Sequence, residues 1–275
     1  MMHEEGIPPF GGGDEGLVRR RHALREKIRK AVERREVFLA FQPVVSARHR
    51  DRVAFYEGLV RLYGASRDPI PAAEFIPLVE TSELGRRIDC LALEQGLEAL
   101  GREPSLRLSI NMSARSIGYR RWLDTLHLGL ERDPTIAERL ILEITEASAM
   151  LMPDLVSAFM GEMHRQGISF ALDDFGAGYT AFRHLKDFLF DIVKIDGEYT
   201  REIHRQPDAQ VLVEALVTIS RHFDMFTVAE AVETEEEADF LAGAGVDCLQ
   251  GYLISPPMLV PPWEEKVAVL DDYID

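Results

Sequence analysis

Short apolar runs alternate with amphipathic helical stretches over most of the chain. Runs of this length, bounded by polar residues, are typical of strands, and eight are predicted: Val37–Val45, Arg52–Arg61, Ser105–Asn111, Arg139–Thr145, Ile168–Asp174, Asp191–Ile195, Phe226–Glu230 and Val246–Leu249. Between them, Leu84, Ile88 and Leu91 mark the apolar face of a helix over Ser82–Leu100. A second helix is predicted over Asp208–His222, with Asp208 as its N-cap. Eight strands interleaved with helices predict an α/β fold of the (β/α)8 barrel type.

The length of the chain fits one such domain. The chain has 275 residues, and α/β barrels commonly run to roughly 200–250 residues as one unit. We therefore expect a single domain over residues 17–275. Residues 1–16 are rich in glycine and proline and are predicted to form a disordered tail.

The chain is acidic, with a formal net charge of −16. A general binder of nucleic-acid polymers needs a basic surface that displaces counterions from phosphates, so the charge argues against that class. An anionic substrate must instead be held at a local positive site, such as a metal ion.

Cysteine use and hydropathy indicate a cytoplasmic protein. Cys90 and Cys248 are far apart and form no CxxC pair, so we expect no disulfide framework. No run of about 18 apolar residues occurs that would predict a membrane span. Residues 1–16 lack the basic and then apolar regions of a signal peptide.

Residues 17–35 are a basic segment of this acidic chain. They hold nine Lys and Arg against two Glu, a net +7, which leaves −23 for the remainder. Leu24, Ile28 and Val32 fall near one face of a predicted helix. Two interpretations stay open: a helix at the domain edge with its basic face in water, or a helix that couples the domain to a sensor or regulatory partner.

Polar side chains stand at the ends of many predicted strands. They are Asn111, Glu143, Glu146, Asp173, Asp174, Lys194, Asp196 and Glu230, with Glu233 in the loop that follows. Because the carboxyl ends of barrel strands converge on one mouth, these side chains are expected to meet there. Glu57, inside or at the end of the second strand, would join them.

Oxygen ligands of this kind suit hard divalent cations such as Mg²⁺ or Mn²⁺. The adjacent Asp173 and Asp174 permit a site for two ions about 3.5–4 Å apart, an arrangement able to hydrolyse a phosphodiester. The chain has no HExxH, GxSxG or GKS/GKT sequence. The sequence therefore carries none of these motifs for an imidazole-based metal site, serine hydrolase chemistry or a phosphate-cradling loop.

Several separate motifs, in this order, resemble those of the EAL-domain phosphodiesterases, which hydrolyse cyclic di-GMP to the linear dinucleotide 5′-pGpG. The motifs are Phe41-Gln42-Pro43, Glu57-Gly58-Leu59-Val60-Arg61, Asn111-Met112-Ser113, Leu142-Glu143-Ile144-Thr145-Glu146, Asp173-Asp174-Phe175-Gly176, Lys194-Ile195-Asp196, Ala229-Glu230-Ala231-Val232-Glu233 and Gln250-Gly251-Tyr252. The resemblance covers residues 20–260 approximately. It implies a modified TIM-type barrel whose first strand is antiparallel to the others.

The resemblance also implies a set of metal ligands. One divalent cation would be bound by Glu57, Asn111, Glu143 and Asp173. A second would be shared by Asp173, Asp174 and Glu230. In this family the lysine that matches Lys194 positions the water, and the glutamate that matches Glu230 is assigned as general base as well as ligand. Two divalent cations, Mg²⁺ or Mn²⁺, are the implied cofactors.

Further residues are implied to serve the substrate. Glu146 would hold the loop Asp174–Thr180. The substrate cleft would be lined or supported by Gln42, Leu59, Arg61, Asp196, Glu233 and Gln250. Arg61 is the natural phosphate contact because its guanidinium pairs with phosphate oxygens in a fork. Members of the family often dimerise near the loop after Asp173-Asp174, so a homodimer is expected.

Four positions depart from the family pattern. Gly58 replaces the signature alanine, Ala177 the usual threonine, Ala231 the usual glycine and Leu62 a frequent tryptophan. None removes an implied ligand, so the changes bear on rate and loop closure more than on metal binding. Two alternatives stay open: a degenerate domain that binds cyclic di-GMP without cleaving it, and an interaction module that binds neither metal nor nucleotide.

Overall fold

A closed barrel of eight strands forms the centre of the molecule. The structure, a computed structural model, describes residues 14–63, 69–176 and 188–264, with side chains from residue 19 onward. Its strands are β1 Val37–Ser46, β2 Val53–Tyr63, β3 Pro69–Pro71, β4 Leu108–Asn111, β5 Leu140–Thr145, β6 Ser169–Phe175, β7 Ile192–Ile195, β8 Phe226–Ala229 and β9 Cys248–Leu249. All eight predicted strands are confirmed. The short strand β3 was not predicted.

The barrel closes through its first strand. The strand order is β1-β9-β8-β7-β6-β5-β4-β2, and β2 pairs with β1 to complete the circle. The three-residue β3 lies on β2, antiparallel to it. The pairs from β2 through β4 and on to β9 are parallel, so the carboxyl ends of seven strands share one mouth.

Strand β1 is antiparallel to both of its neighbours, as the resemblance implied. Val37 pairs with Leu62 of β2, and Val45 pairs with Leu249 of β9. Only residues 47–52 connect β1 to β2. A connection this short makes a hairpin, because a parallel crossover needs about a dozen residues or more.

Helices surround the barrel. They are α1 Asp14–Glu33, α2 Ala72–Val79, α3 Glu83–Arg102, α4 Arg120–Arg132, α5 Glu146–Leu151, α6 Pro153–His164, α7 Gly197–Thr200, α8 Pro207–His222 and α9 Glu235–Ala244. The predicted helix over residues 17–35 is therefore present and begins earlier, at Asp14. Residues 1–13 of the predicted tail lie outside the described residues. No described helix is long and apolar enough to cross a lipid bilayer.

The predicted N-cap of α8 is wrong. The helix begins at Pro207, and Gln206 is its cap residue, with no hydrogen bond from its side chain. A proline fits the first helical position because its missing N–H would have no partner there. Asp208 lies in the first turn, where its negative charge interacts favourably with the positive end of the helix dipole.

Helix α1 packs by one face only. Ile28, Ala31 and Val32 are buried against the domain, whereas the exposed Arg29 forms salt bridges with Glu26 and Glu33 of the same helix. This arrangement matches a helix at the domain edge with its charged face in water. Coupling of α1 to a partner stays a prediction.

The buried apolar residues form two clusters. The large cluster lies between the strands and the surrounding helices and includes Trp122, Phe75 and Phe170. The small cluster draws its residues from β1, β2, β5, β6, β7 and β8 and consists of Val44, Phe55, Ile141, Ala171, Ile192 and Val228. These six positions form an apolar layer inside the barrel.

Candidate functional site

A layer of charged side chains lies directly above the apolar layer inside the barrel. Because side chains two residues apart on a strand share a face, five of the six residues of the apolar layer are followed by an inward-facing residue nearer the mouth. The pairs are Phe55 and Glu57, Ile141 and Glu143, Ala171 and Asp173, Ile192 and Lys194, and Val228 and Glu230. The alternation of the strands thus places four carboxylates and one ammonium at one level.

Lys194 stands at the centre of this layer. Its Nζ is 2.7 Å from Glu230 Oε1, 2.8 Å from Glu143 Oε2, 2.9 Å from Asp173 Oδ1 and 3.1 Å from Glu57 Oε2. The lysine side chain is 1% exposed. One buried cation therefore holds four carboxylates that are separated by up to 173 positions in the sequence.

Amide side chains complete the layer on the side of β1 and β2. Asn111 Nδ2 donates to Glu57 Oε1 at 2.7 Å. Gln250 Nε2 donates to Glu57 Oε2 at 2.7 Å and to Gln42 Oε1 at 3.0 Å. Gln42 Nε2 in turn donates to the carbonyl of Ser255 at 3.0 Å. Glu57 is thus fixed by three donors, and both predicted glutamines support it.

The pKa values of these groups are shifted in opposite directions. Burial lowers the pKa of Lys194, but the surrounding carboxylates outweigh burial and hold it well above its usual value. Burial raises the pKa of Glu57, but Lys194 and the amide donors outweigh it, so the net shift is downward. Burial and the charge of Glu57 hold the pKa of Glu143 well above its usual value. Burial also raises the pKa of Glu230 to about 8.

Asp174 extends the acidic group beyond Lys194. One carboxylate oxygen from each of Asp173, Asp174 and Glu230 lies within 4.8 Å of the others. Asp174 adopts a left-handed backbone conformation, with φ of 56°, which aspartate tolerates better than most residues. Burial and the neighbouring charge of Asp173 raise the pKa of Asp174 to about 6.

The donor set fits a hard divalent cation. Glu143 Oε1 is buried and has no hydrogen-bond partner, and Asp173 Oδ1 has an ion pair with Lys194 but no hydrogen bond. Such oxygens are costly to bury unless a cation binds them. Carboxylate and amide oxygens are also the ligands that Mg²⁺ and Mn²⁺ prefer. The residues that could hold metal are Glu57, Asn111, Glu143, Asp173, Asp174 and Glu230.

The charged layer forms one wall of a cavity of about 730 Å³ that opens at the mouth of the barrel. Leu59 lines it beside the layer, and the loops that follow β7, β8 and β9 contribute the rest. The residues from these loops are Asp196, Gly197, Glu198, Arg201, Ala231, Glu233, Gly251 and Tyr252. The structure therefore brings Gln42, Leu59, Asp196, Glu233 and Gln250 to one cavity with the charged layer.

A second cavity of about 430 Å³ adjoins the charged layer from the side of α2 and α3. Asn111, Asp173 and Asp174 line it, together with apolar side chains such as Ile76 and Ile88. The charged layer is thus reached from two sides.

Two predicted residues lie apart from the charged layer. Arg61 is half-buried and donates from Nη1 to the carbonyl of its neighbour Val60 at 2.9 Å, and it lines neither cavity. Glu146 is buried at the start of α5 and accepts a hydrogen bond from the Gly176 N–H at 3.3 Å. That bond restrains the start of the loop it was predicted to hold. Residues 177–187, including Ala177, lie outside the described residues.

Glu237 and Arg201 belong to the site but are not among the residues predicted from the sequence. The Glu237 carboxylate accepts from the N–H of Glu233 at 2.8 Å and of Glu202 at 2.7 Å, so it joins the loops after β7 and β8. Thr234 and Glu237 form a capping box on α9, a pattern that is readable in the sequence. No local pattern marks Arg201.

Gly58 is accommodated by the packing of Ile110. A Cβ atom at Gly58 would lie 2.8 Å from Ile110 Cδ1, and one at Gly96 would lie 2.7 Å from the same atom. The Ile110 side chain therefore fills space that two glycines leave. We expect Gly58→Ala to lower the free energy of unfolding by about 1–3 kcal/mol through overpacking, measured by urea denaturation.

Removal of the crowding methyl should restore that stability. In Gly58→Ala/Ile110→Val the Cδ1 atom is gone, so the double variant should be more stable than the two single effects add up to. Gly101→Ala is the matched control, since a Cβ there meets nothing within 4 Å. Strict additivity would show that Ile110 does not compensate for Gly58.

Ala231 holds a strained conformation in the wall of the cavity. Its φ is 53°, in the left-handed region, where a Cβ atom costs about 1–2 kcal/mol. We expect Ala231→Gly to raise the free energy of unfolding by about 1 kcal/mol and the Tm by about 2–4 °C. The measurement is thermal unfolding, with Ala158→Gly in the exposed part of α6 as a control that should destabilise. A lower Tm for Ala231→Gly would contradict the strain.

Comparison with known proteins agrees with this geometry. A model of the EAL domain matches residues 25–257. The chain is 30% identical over 250 residues to the bifunctional diguanylate cyclase/cyclic di-GMP phosphodiesterase MucR of Pseudomonas aeruginosa, which covers 89% of this chain and 36% of that protein. It is 33% identical over 241 residues to the cyclic di-GMP phosphodiesterase PdeL of Escherichia coli, which covers 85% of this chain and 66% of that protein. The chain thus spans about a third of the length of MucR and about two thirds of that of PdeL.

Solved structures show the same fold. One described as the PaMucR phosphodiesterase in complex with c-di-GMP superposes with a TM-score of 0.78 at 30% identity, covering 88% of this chain and 99% of that one. The EAL domain of FimX from Pseudomonas aeruginosa bound to c-di-GMP gives a TM-score of 0.77 at 24% identity, covering 86% and 96%. The barrel with its antiparallel first strand, the acidic layer and the match over most of the chain lead to one conclusion. This chain belongs to the EAL domain family.

Proposed function

We propose that this domain hydrolyses one phosphodiester bond of cyclic di-GMP in a metal-dependent reaction that yields linear 5′-pGpG. The observation that carries the proposal is the charged layer, in which Asp173 belongs both to the group around Lys194 and to the group with Asp174 and Glu230. A carboxylate shared by two groups of oxygen ligands is the arrangement that a two-metal phosphodiesterase needs. The retention of every implied ligand also supports it.

The residues around the cavity have separate roles in the proposed reaction. Divalent cations such as Mg²⁺ or Mn²⁺, when bound, polarise a phosphate and lower the pKa of a water molecule. Lys194 keeps the carboxylates at one level and orients the attacking water from its buried position. Glu230, whose side chain is 20% exposed, reaches the cavity and accepts the proton of that water.

The cavity supplies the substrate contacts. Leu59, Asp196 and Glu233 line it, as do Gln42 and Gln250. Gln250 also donates to Glu57 and to Gln42, so the two glutamines support the wall of the cavity. A phosphate contact by Arg61 requires its guanidinium to leave the Val60 carbonyl that it now contacts. Glu146 serves the reaction by holding Gly176 next to the aspartate pair.

The decisive experiment is a product assay with metal titration. Purified protein is incubated with cyclic di-GMP and Mg²⁺ or Mn²⁺, and the nucleotides are separated by chromatography. We expect linear 5′-pGpG that appears with added metal and disappears with a chelator. Tight binding of cyclic di-GMP in the presence of metal without any product would instead identify a receptor. Absence of both binding and product would leave only an interaction module.

The assembly state is a separate part of the proposal. We infer a homodimer from the family resemblance, together with an accessory sensor or regulatory partner that acts through α1. Light scattering over a range of protein concentrations measures the first of these. A monomer at every concentration would contradict it.

A further inference from the structure

The charged residues that line the cavity at the barrel mouth are mostly acidic. Seven of its described lining residues are carboxylates: Glu57, Asp173, Asp174, Asp196, Glu198, Glu230 and Glu233. Lys194 and Arg201 are the basic side chains among the described residues that line it. Because Lys194 is enclosed by four carboxylates, Arg201 is the cation left to meet a ligand.

The Arg201 side chain is free to contact a ligand in the cavity. Its side chain is exposed, and no described carboxylate forms a salt bridge with its guanidinium. An ideal Cβ at Gly197 would lie 4.0 Å from Arg201 Nε, so the guanidinium extends over a residue without a side chain. Gly197 follows Asp196 directly and packs against Ala231, since a Cβ at Gly197 would lie 2.7 Å from the Ala231 methyl.

The backbone around Arg201 is fixed to the site. The Arg201 N–H donates to the carbonyl of Gly197 at 3.2 Å, and its carbonyl accepts from Gln206 Nε2 at 3.2 Å. On its two sides, Thr200 donates from its hydroxyl to the carbonyl of Glu230, and the Glu202 N–H donates to Glu237. These hydrogen bonds fix the backbone segment that carries the Arg201 side chain at the cavity.

Glu237 links the backbone beside Arg201 to the loop after β8, which carries Glu233. Its second carboxylate oxygen accepts from the N–H of Glu233 at 2.8 Å, so Arg201 and Glu233 are held through one buried residue. A cation and a carboxylate are thereby placed in one cavity, together with the Tyr252 side chain, which is 69% exposed. An exposed aromatic ring offers a flat base a surface to stack on.

We propose that Arg201 is a specificity-determining residue that reads the acceptor edge of a guanine base. The inference rests on the proposed function, since it takes the cavity as the site of cyclic di-GMP. Guanine presents two acceptors, O6 and N7, that a guanidinium contacts in a fork, whereas adenine presents a donor in place of O6. Carboxylates such as Glu233 suit the N–H groups of guanine, whereas the guanidinium of Arg201 would face the amino group of adenine, donor against donor.

Arg201→Ala tests the inference through the substrate. We expect KM for cyclic di-GMP to rise roughly 10- to 100-fold, since one bidentate contact is worth about that factor, while kcat changes little. Arg201→Lys should restore part of the loss because a lysine also contacts O6 and N7. Arg205→Ala, an exposed arginine outside the cavity, is the matched control.

Two further substrates separate recognition from a structural effect. Bis(4-nitrophenyl) phosphate has no base, so the loss of kcat/KM in Arg201→Ala should be smaller on this substrate than on cyclic di-GMP. The preference for cyclic di-GMP over cyclic di-AMP should fall by the factor by which KM rises. An unchanged KM, or an equal loss on all three substrates, would overturn the inference.

The same variants distinguish this inference from the proposed function. If the unmodified protein binds cyclic di-GMP without cleaving it, hydrolysis is refuted and the Kd of Arg201→Ala becomes the readout, with the same fold-change expected. If the unmodified protein neither binds nor cleaves it, both proposals are overturned. If it cleaves cyclic di-GMP and Arg201→Ala does so with unchanged KM and preference, only the role of Arg201 is lost.

Discussion

Lys194→Met is expected to abolish cyclic di-GMP hydrolysis and to destabilise the metal-free protein. The methionine keeps most of the side-chain volume but removes the charge that lies 2.7 to 3.1 Å from four carboxylates. Breaking a buried ion pair in this way typically costs about 3–5 kcal/mol of stability. Product formation should fall by at least about 100-fold, the usual effect of removing one electrostatic donor from an active site.

The readouts for this variant separate charge from packing. Urea denaturation without metal should show the loss of stability, and added Mn²⁺ should stabilise Lys194→Met more than the unmodified protein. The reason is that a divalent cation supplies the positive charge that the four carboxylates have lost. Lys27→Met, at an exposed position of α1, should change neither property. A variant with full stability and turnover would show that Lys194 does not organise the layer.

Glu57→Gln is expected to remove activity while leaving the barrel folded. Glu57 accepts hydrogen bonds from Lys194, Asn111 and Gln250, and an amide of the same shape turns a donor towards one of these partners. It also removes a charge from the ligand set. Even groups behind metal ligands typically change affinity or activity by about 10- to 100-fold, so we expect a loss of product formation greater than about 100-fold.

Calorimetry with Mn²⁺ measures the same change without turnover. Metal binding to Glu57→Gln should be weaker than to the unmodified protein, while circular dichroism should show an unchanged secondary structure. Glu131→Gln, an exposed glutamate at the end of α4, serves as the control. Unaltered metal affinity and turnover in Glu57→Gln would refute its assignment as a ligand.

The departures from the family pattern acquire separate physical meanings in the structure. Gly58 removes no ligand, and the side chain of Ile110 fills the space that a methyl group at Gly58 would occupy. Ala231 keeps a left-handed backbone at a position where the family pattern has glycine, and Gly197 gives its methyl space. Neither change disturbs the charged layer, so neither favours the non-catalytic alternative over hydrolysis.

Much of the fold and of the site was predictable from the sequence. The eight strands follow from short apolar runs, and the carboxylates follow them because alternate residues of a strand face the same way. The antiparallel direction of β1 was expected only from the family resemblance, and the short connection between β1 and β2 is its physical reason in the structure. By contrast, the cap of α8 was misplaced because both Gln206 and Asp208 flank a proline whose preferred position decides the start of the helix.

The sequence by itself determined which side chains face the barrel mouth, since that depends on local alternation along each strand. Only the tertiary structure decided which of them meet. The contacts of Lys194 with Glu57 and of Gln250 with Glu57 join residues 137 and 193 positions apart, and they exist because barrel closure brings separate strands to one level. The same holds for Arg201, which no pattern marks but which the loops after β7 and β8 place beside the charged layer. Local periodicity fixes the direction of a side chain, whereas its neighbours depend on how the strands close.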